Sequence, residues 1–129
     1  GALKSEVNYK KYNLEGLGIT YYESGREGLG KTYYESGALQ SEVNYKNGKL
    51  DGLDKGYSES GALQSEKNYK NDNLEGLGIT YYESGALKTE SNYKNGELDG
   101  LYKTYSESGL LINRKNYKNG ILVGEWTRE

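Results

Sequence analysis

From Leu39 to Lys46 polar and apolar positions alternate. Leu39, Ser41, Val43 and Tyr45 form one set, and Gln40, Glu42, Asn44 and Lys46 the other. A period of two places the sets on opposite sides of a β-strand. A second extended stretch, Gly16 to Ser24 (G-L-G-I-T-Y-Y-E-S), is rich in Tyr, Thr and Ile, which suit a pleated surface. These two patterns recur in turn along the chain. Asn47-Gly48, Asn95-Gly96 and Asn119-Gly120 separate a first-type strand from a second-type one, and this dipeptide favours a type I′ hairpin turn. Asn71-Asp72 is a weaker version, and Lys11-Tyr12 predicts a looser turn. Ser-Gly closes the other end at residues 24–25, 36–37, 60–61, 84–85 and 108–109. Short turns at both ends force neighbouring strands antiparallel.

The recurrence divides the chain into units at residues 1–24, 37–60, 61–84 and 85–108, with a C-terminal cap unit at 109–129. A half-unit at 25–36 matches only the second half of the motif. A fixed period in this range marks a repeat array. The predicted fold is all-β: an elongated single-layer antiparallel β-meander of tandem 24-residue β-hairpin repeats, about eleven strands in all. Such a ribbon is roughly 24 Å wide and 50 Å long. The half-unit makes two second-type strands neighbours and puts Arg26 where Leu50 stands in a full unit, a gap in the apolar stripe. In the last unit Trp126 replaces a small residue or Tyr and reads as a cap. Residues 13–25 and 73–85 are identical, as after a recent duplication, so copy number is expected to vary.

Two-residue loops at both ends would set Tyr45 opposite Leu50, Val43 opposite Gly52, Ser58 opposite Leu63 and Tyr34 opposite Leu39. Lys31 would then meet Glu42, and Lys55 would meet Glu66, two favourable cross-strand charge pairs. One face carries Leu and Tyr beside Gly and Thr, with bare glycine backbone for the rings to lie on. The other carries Leu53, Lys55 and Tyr57 among Gln, Glu and Asn.

Composition narrows the chemistry. The chain has 129 residues with 15 Tyr and 19 Gly but no Phe, Met, Pro, Cys or His. Charged residues make up 28%, a polarity that suits disorder, but Tyr, Leu, Val and Ile recur at fixed register, as an array burying a thin apolar stripe requires. Formal charge is −2 and the two signs are mixed, unlike the basic footprint of a nucleic-acid binder or a polybasic lipid-binding cluster. No apolar run approaches membrane-span length. The chain opens on a repeat boundary without Met, as a fragment would. Without His or Cys, the usual general bases, thiol nucleophiles and most transition-metal sites are missing. Glu and Asp recur at equivalent points of each unit, whereas a paired-carboxylate hydrolase needs one singular constellation. Glu27-Gly28-Leu29-Gly30 lacks the Lys-Ser/Thr of a phosphate loop, and Asp51-Gly52-Leu53-Asp54 is too sparse for a calcium loop.

Tyr9, Tyr45, Tyr69, Tyr93 and Tyr117 should form one column, and Tyr22, Tyr34 and Tyr82 a partial second. Their first role is cross-strand packing in place of a core. Because a single layer exposes what it packs, Tyr45, Tyr69, Tyr93, Tyr22, Tyr34 and Tyr82 are also the candidate protein-contact residues.

Residues 44–61 and 92–109 carry the skeleton Tyr93, Gly96, Gly100, Tyr105, Gly109, which resembles the MORN repeat, and within it the bacterial variant found in toxin–antitoxin and exported proteins. Tyr12 and Asp72 depart from it at the position of Gly96. The resemblance implies stacked β-hairpins with a role in binding or scaffolding, linked to protein assembly and phospholipids, and no enzyme activity in the repeats. The expected function is a non-enzymatic scaffold for protein–protein interaction within a larger bacterial surface or exported protein. The alternatives are an antitoxin-like module neutralising a partner protein, and a phospholipid-binding membrane adaptor. No catalytic, metal or cofactor site is expected. The expected partner is another protein, with no nucleic acid and membrane lipid disfavoured by the charge. A monomer or an edge- or face-paired homodimer is expected, and an exported or cell-surface location is favoured over the cytoplasm.

Overall fold

The structure, a computed structural model, describes residues 3–6, 17–22 and 28–129, with side chains from residue 28 onward. The strands are β1 (Leu3–Glu6), β2 (Leu17–Tyr22), β3 (Gly28–Tyr33), β4 (Leu39–Lys46), β5 (Lys49–Tyr57) and β6 (Leu63–Lys70). They continue as β7 (Asn73–Leu74), β8 (Gly76–Tyr81), β9 (Leu87–Lys94), β10 (Glu97–Leu98), β11 (Gly100–Tyr105), β12 (Leu111–Lys118) and β13 (Ile121–Thr127). All lie in one antiparallel sheet in chain order, with β7 beside β6 and β10 beside β9. Since β7–β8 and β10–β11 are each one strand interrupted at a single residue, the sheet is an eleven-strand meander, as the sequence predicts. β2 and β3, both second-type, pair directly from Leu17↔Thr32 to Tyr21↔Gly28, the consequence of the half-unit. The turn at Lys11-Tyr12, the ring of Tyr9 and the gap at Arg26 lie outside the described residues.

A single layer buries little. Among the described residues no hydrophobic side chain is buried. The accessible surface is 8228 Å², against about 6,800 Å² for a compact chain of this mass.

The Asn-Gly turns form as expected, with Asn47 at φ 53 and Gly48 at φ 80, and Tyr45 lies opposite Leu50. Beyond that pair the expected register fails: Val43 faces Asp54 and not Gly52. Asp51, Gly52 and Leu53 together oppose the single residue Asn44, with Gly52 in the left-handed region at φ 107. A glycine within a strand marks this kind of bulge. The Asn opposite closes it: Asn44, Asn68 and Asn92 donate from Nδ2 to the carbonyls of Leu53, Leu77 and Leu101 at 3.0, 3.3 and 3.1 Å. In the later units the carbonyls of Asn68 and Asn92 also accept the N–H of Glu75 and Asp99 at 2.9 Å.

The Ser-Gly loops also correct the expectation. They are three-residue loops in which Gly37, Gly61, Gly85 and Gly109 sit at φ 93–96 and donate to the carbonyls of Tyr34, Ser58, Tyr82 and Ser106. Leu39 and Leu63 therefore face Tyr33 and Tyr57, not Tyr34 and Ser58. One extra residue on the following strand, Gln40 or Gln64, then shifts the register back. The two deviations cancel, so Lys31↔Glu42 and Lys55↔Glu66 stand where the sequence puts them.

Successive hairpins are also joined sideways along the Asn-Gly edge. Asp72, Gly96 and Gly120 donate their N–H groups to Leu50, Leu74 and Leu98 at 2.8–2.9 Å. The bulge carboxylates of Asp51, Glu75 and Asp99 accept the N–H of Asn71, Asn95 and Asn119 at 3.5, 3.1 and 3.1 Å. Each unit thus holds the next by its backbone, the nearest-neighbour coupling of a repeat array.

Two expectations follow. Small-angle scattering will show an asymmetric distance distribution reaching roughly 50 Å, where a compact chain of this length has a radius of gyration near 14 Å. Gly78→Ala will lower stability by about 1–2 kcal/mol in urea denaturation, because its Cβ would stand 3.0 Å from Ser91 Oγ and 3.1 Å from Tyr93 Cε2.

Candidate functional site

The two faces have different chemistry. On the tyrosine face each ring of the column lies beside one position of the preceding second-type strand: Gly30 for Tyr45, Asp54 for Tyr69, Gly78 for Tyr93 and Tyr102 for Tyr117. A Cβ on Gly30 would stand 2.8 Å from Tyr45 Cε2, so the ring lies on bare backbone as the sequence suggests. Tyr102 and Tyr117 stack tilted, with centroids 6.4 Å apart. The residue across the ladder changes with its partner: Val43 and Ser91 face the glycines, while Lys67 faces Asp54 and Lys115 faces Tyr102. Burial pushes the Asp54 carboxyl up, and the Lys67 ammonium opposes that shift. Burial, then the charges of Asp54 and Tyr93, push the Tyr69 phenol up.

The structure places the sequence-predicted contact tyrosines on or beside this face and occupies most of them. Tyr45, Tyr69 and Tyr93 are half-buried in the column. Tyr34 and Tyr82 donate their hydroxyls to the carbonyls of Tyr57 and Tyr105, one unit onward, at 2.6 and 2.7 Å. Where Ser58 replaces tyrosine at this position it is buried, and its hydroxyl bonds Ser60 at 2.7 Å. The side chain of Tyr22 lies outside the described residues.

The opposite face carries a feature that the Tyr-weighted reading of the sequence passes over. Leu29, Leu53, Leu77 and Leu101 occupy equivalent positions of successive second-type strands, each opposite an asparagine of the next strand. Leu53, Leu77 and Leu101 are 38%, 41% and 37% exposed. Their regular spacing on one face of the alternation is the sequence signal that could have found them. Beside this row runs a charge ladder, Lys31, Glu42, Lys55, Glu66, Ile79, Glu90, Lys103, Arg114, each opposite the next. Lys31 and Glu42 approach to 4.0 Å. Ile79 interrupts the ladder, and the two flanking carboxylates take tyrosine hydroxyls: Tyr81 donates to Glu66 at 2.7 Å and Tyr105 to Glu90 at 2.8 Å.

At the C-terminal end the row meets Trp126. The last bulge contains one extra residue and not two: Val123 stands where the interior units have Asp or Glu, and Gly124 does not take the left-handed conformation. A one-residue change in register moves a side chain to the other face. Trp126 consequently lies opposite Arg114, in the charge ladder, and not beside Tyr117. It is 39% exposed, with the Arg128 guanidinium 5.5 Å from its ring centre, so it is an open part of the surface more than a covering cap. Leu101, Arg114, Asn116, Gly124, Glu125 and Trp126 line a recess of about 270 Å³. A smaller recess of about 80 Å³ lies between Leu77, Leu101, Glu90, Asn92 and Lys103. Among the described residues no cluster of three or more carboxylates could hold a metal ion.

The hydrogen bond to Glu66, then burial, then the Glu66 charge push the Tyr81 phenol up to about 12. A raised folded pKa favours the protonated phenol, so this contribution to stability is complete below pH 10 and is lost as pH rises toward 12. In an alkaline absorbance titration the wild type will show a late-ionising phenol that Tyr81→Phe lacks. Glu66→Gln will return that phenol toward its ordinary value.

The model of the MORN repeat variant matches residues 26–47, 50–71, 74–95 and 98–119. Each match runs from a second-type strand, or the residues just before it, through the Ser-Gly loop to the end of the next first-type strand, so the half-unit supplies the opening strand of a complete match. No curated protein matches the chain. The matches cover about two thirds of the sequence and coincide with the structural hairpins; the chain belongs to the MORN repeat-variant family.

Proposed function

We propose that this repeat module is a non-enzymatic scaffold that binds another protein, and that the contact surface is the leucine face from Leu53 to Trp126. The observation that carries this reading is the exposed row of Leu53, Leu77 and Leu101, with Trp126 exposed in the neighbouring ladder, while the tyrosines of the opposite face are half-buried with rings and hydroxyls engaged within the sheet. Aligned apolar side chains rimmed by charge are the anatomy of a contact patch. The two recesses on this face give a partner's apolar side chains a place to seat. Lys103 and Arg114, adjacent at the open end, favour an acidic residue beside the apolar anchor. Recurrence of the same surface every 24 residues suits a partner that contacts several units at once.

The test is selection of peptides from a displayed random library against the folded chain. Selected peptides should combine apolar anchors with Asp or Glu. Leu77→Lys and Leu101→Lys should each weaken binding at least about tenfold, as for a lost hot-spot contact, while Tyr69→Phe leaves it unchanged. Peptides sensitive to Tyr69→Phe and indifferent to both leucine variants would move the site to the tyrosine face. Strong retention of the chain on anionic vesicles at physiological salt would favour the lipid adaptor instead.

A further inference from the structure

The Asn-Gly turns carry a chemistry of their own. In this dipeptide the glycine nitrogen can lose its proton and bond Cγ of the asparagine. Nδ2 then leaves as ammonia, and water opens the cyclic imide to aspartate or isoaspartate. Glycine permits the closure because no side chain hinders it. Asn95, Gly96, Asn119 and Gly120 are exposed, so water reaches both turns. The two attacking nitrogens are held, however: Gly96 donates to the Leu74 carbonyl at 2.9 Å and Gly120 to that of Leu98 at 2.8 Å, each in the preceding unit. That bond fixes both the proton and the orientation of the nitrogen, so it must open before attack. For Gly48 the equivalent neighbours are residues 25 and 26, outside the described residues. The turns differ in what lies over the glycine. A Cβ on Gly120 would stand 2.7 Å from Glu97 Oε2, whereas one on Gly96 would meet the neutral Asn73 Oδ1 at 3.8 Å. Glu75 and Asp99 accept the N–H groups of Asn95 and Asn119, both at 3.1 Å. By these contacts two carboxylates border the Asn119-Gly120 turn and one the Asn95-Gly96 turn. A carboxylate beside an amide that must become an anion opposes its ionisation.

We propose that Asn95 and Asn119 are self-modification sites gated by the preceding unit: its leucine carbonyl holds the attacking nitrogen, and the residue before that leucine sets the rate through its charge. At equal opening Asn95, beside neutral Asn73, is the faster site, and Asn119, beside Glu97, the slower. Asn71-Asp72 is protected by its sequence, since a side chain on the second residue hinders ring closure. The product acts on the array. Aspartate adds a negative charge next to the bulge carboxylate. Isoaspartate inserts an extra main-chain carbon into a two-residue turn whose left-handed geometry, with Asn95 at φ 51 and Gly96 at φ 84, does not accommodate it. The glycine N–H then loses its leucine carbonyl, and the sideways link between units opens on that edge. Modification is thus a slow, irreversible record of how often neighbouring units part. It is independent of which face binds a partner protein.

The experiment follows conversion by peptide-mapping mass spectrometry while the folded chain is held in mildly alkaline buffer, with a parallel sample in urea. The wild type should convert Asn95 and Asn119 at least about tenfold more slowly folded than unfolded, the protection of a closed hydrogen bond. Glu97→Gln should speed conversion at Asn119, and Asn73→Glu should slow it at Asn95, each about fivefold, the effect of one charge at contact distance in water. Each variant should act on its own turn only. Neither should act in urea, where the paired turns are no longer neighbours. The equivalent position already holds Lys49, Asn73 and Glu97 in successive units, so the fold should persist, which circular dichroism verifies. A general loss of stability would speed conversion and so could not produce the slowing expected of Asn73→Glu. Equal rates in buffer and urea overturn the proposal. So does failure of either folded variant to shift its turn in the stated direction.

Discussion

Everything in this sheet depends on cross-strand pairing, because among the described residues no second layer hides an apolar face. A strand in a sandwich is held mostly by what lies beneath it; here it is held by its two neighbours. The αL glycines at the bulges and Ser-Gly loops, with the asparagines opposite the bulges, keep that pairing in register over eleven strands. The bulge carboxylates add the sideways link, since one residue both shapes its own strand and accepts an N–H from the next turn.

That constraint explains why side chains vary in sets. Each tyrosine ring needs either bare backbone or an accommodating neighbour, and the position across the ladder changes to match. Gly30 with Val43 and Gly78 with Ser91 leave room for a ring, while Asp54 with Lys67 substitutes a charge pair. The other face shows the same local compensation. Where Ile79 removes a lysine from the charge ladder, the carboxylates of Glu66 and Glu90 are satisfied by Tyr81 and Tyr105. Small nearest-neighbour adjustments of this kind let copies be duplicated or drift without loss of the whole array.

A layer fastened by backbone and tyrosine leaves its leucine side open along most of its length. The last unit changes that surface. Its bulge, with Val123 as the single extra residue, is one residue shorter, the register slips, and Trp126 arrives on the leucine side opposite Arg114. The same replacement removes a charge that the interior bulges carry at this position.

The sequence by itself determined the architecture. Period-two alternation, Asn-Gly and Ser-Gly punctuation and the fixed repeat spacing define an antiparallel meander, since local turn chemistry allows short-looped strands no other arrangement. It also determined Tyr45↔Leu50, Lys31↔Glu42 and Lys55↔Glu66. The tertiary structure decided the pairs between them. Val43 faces Asp54 because Asp51-Gly52-Leu53 bulges over Asn44, and Leu63 faces Tyr57 because the Ser-Gly loop takes three residues. Bulges arise from hydrogen bonding between two strands, so neither strand's pattern alone records them. The tyrosines were legible as a column, but their engagement with glycine backbone and carbonyls emerged only when neighbouring units were in place. The placement of Trp126 had the same origin: its residue type was plain in the sequence, and its face was decided by a one-residue slip against β12.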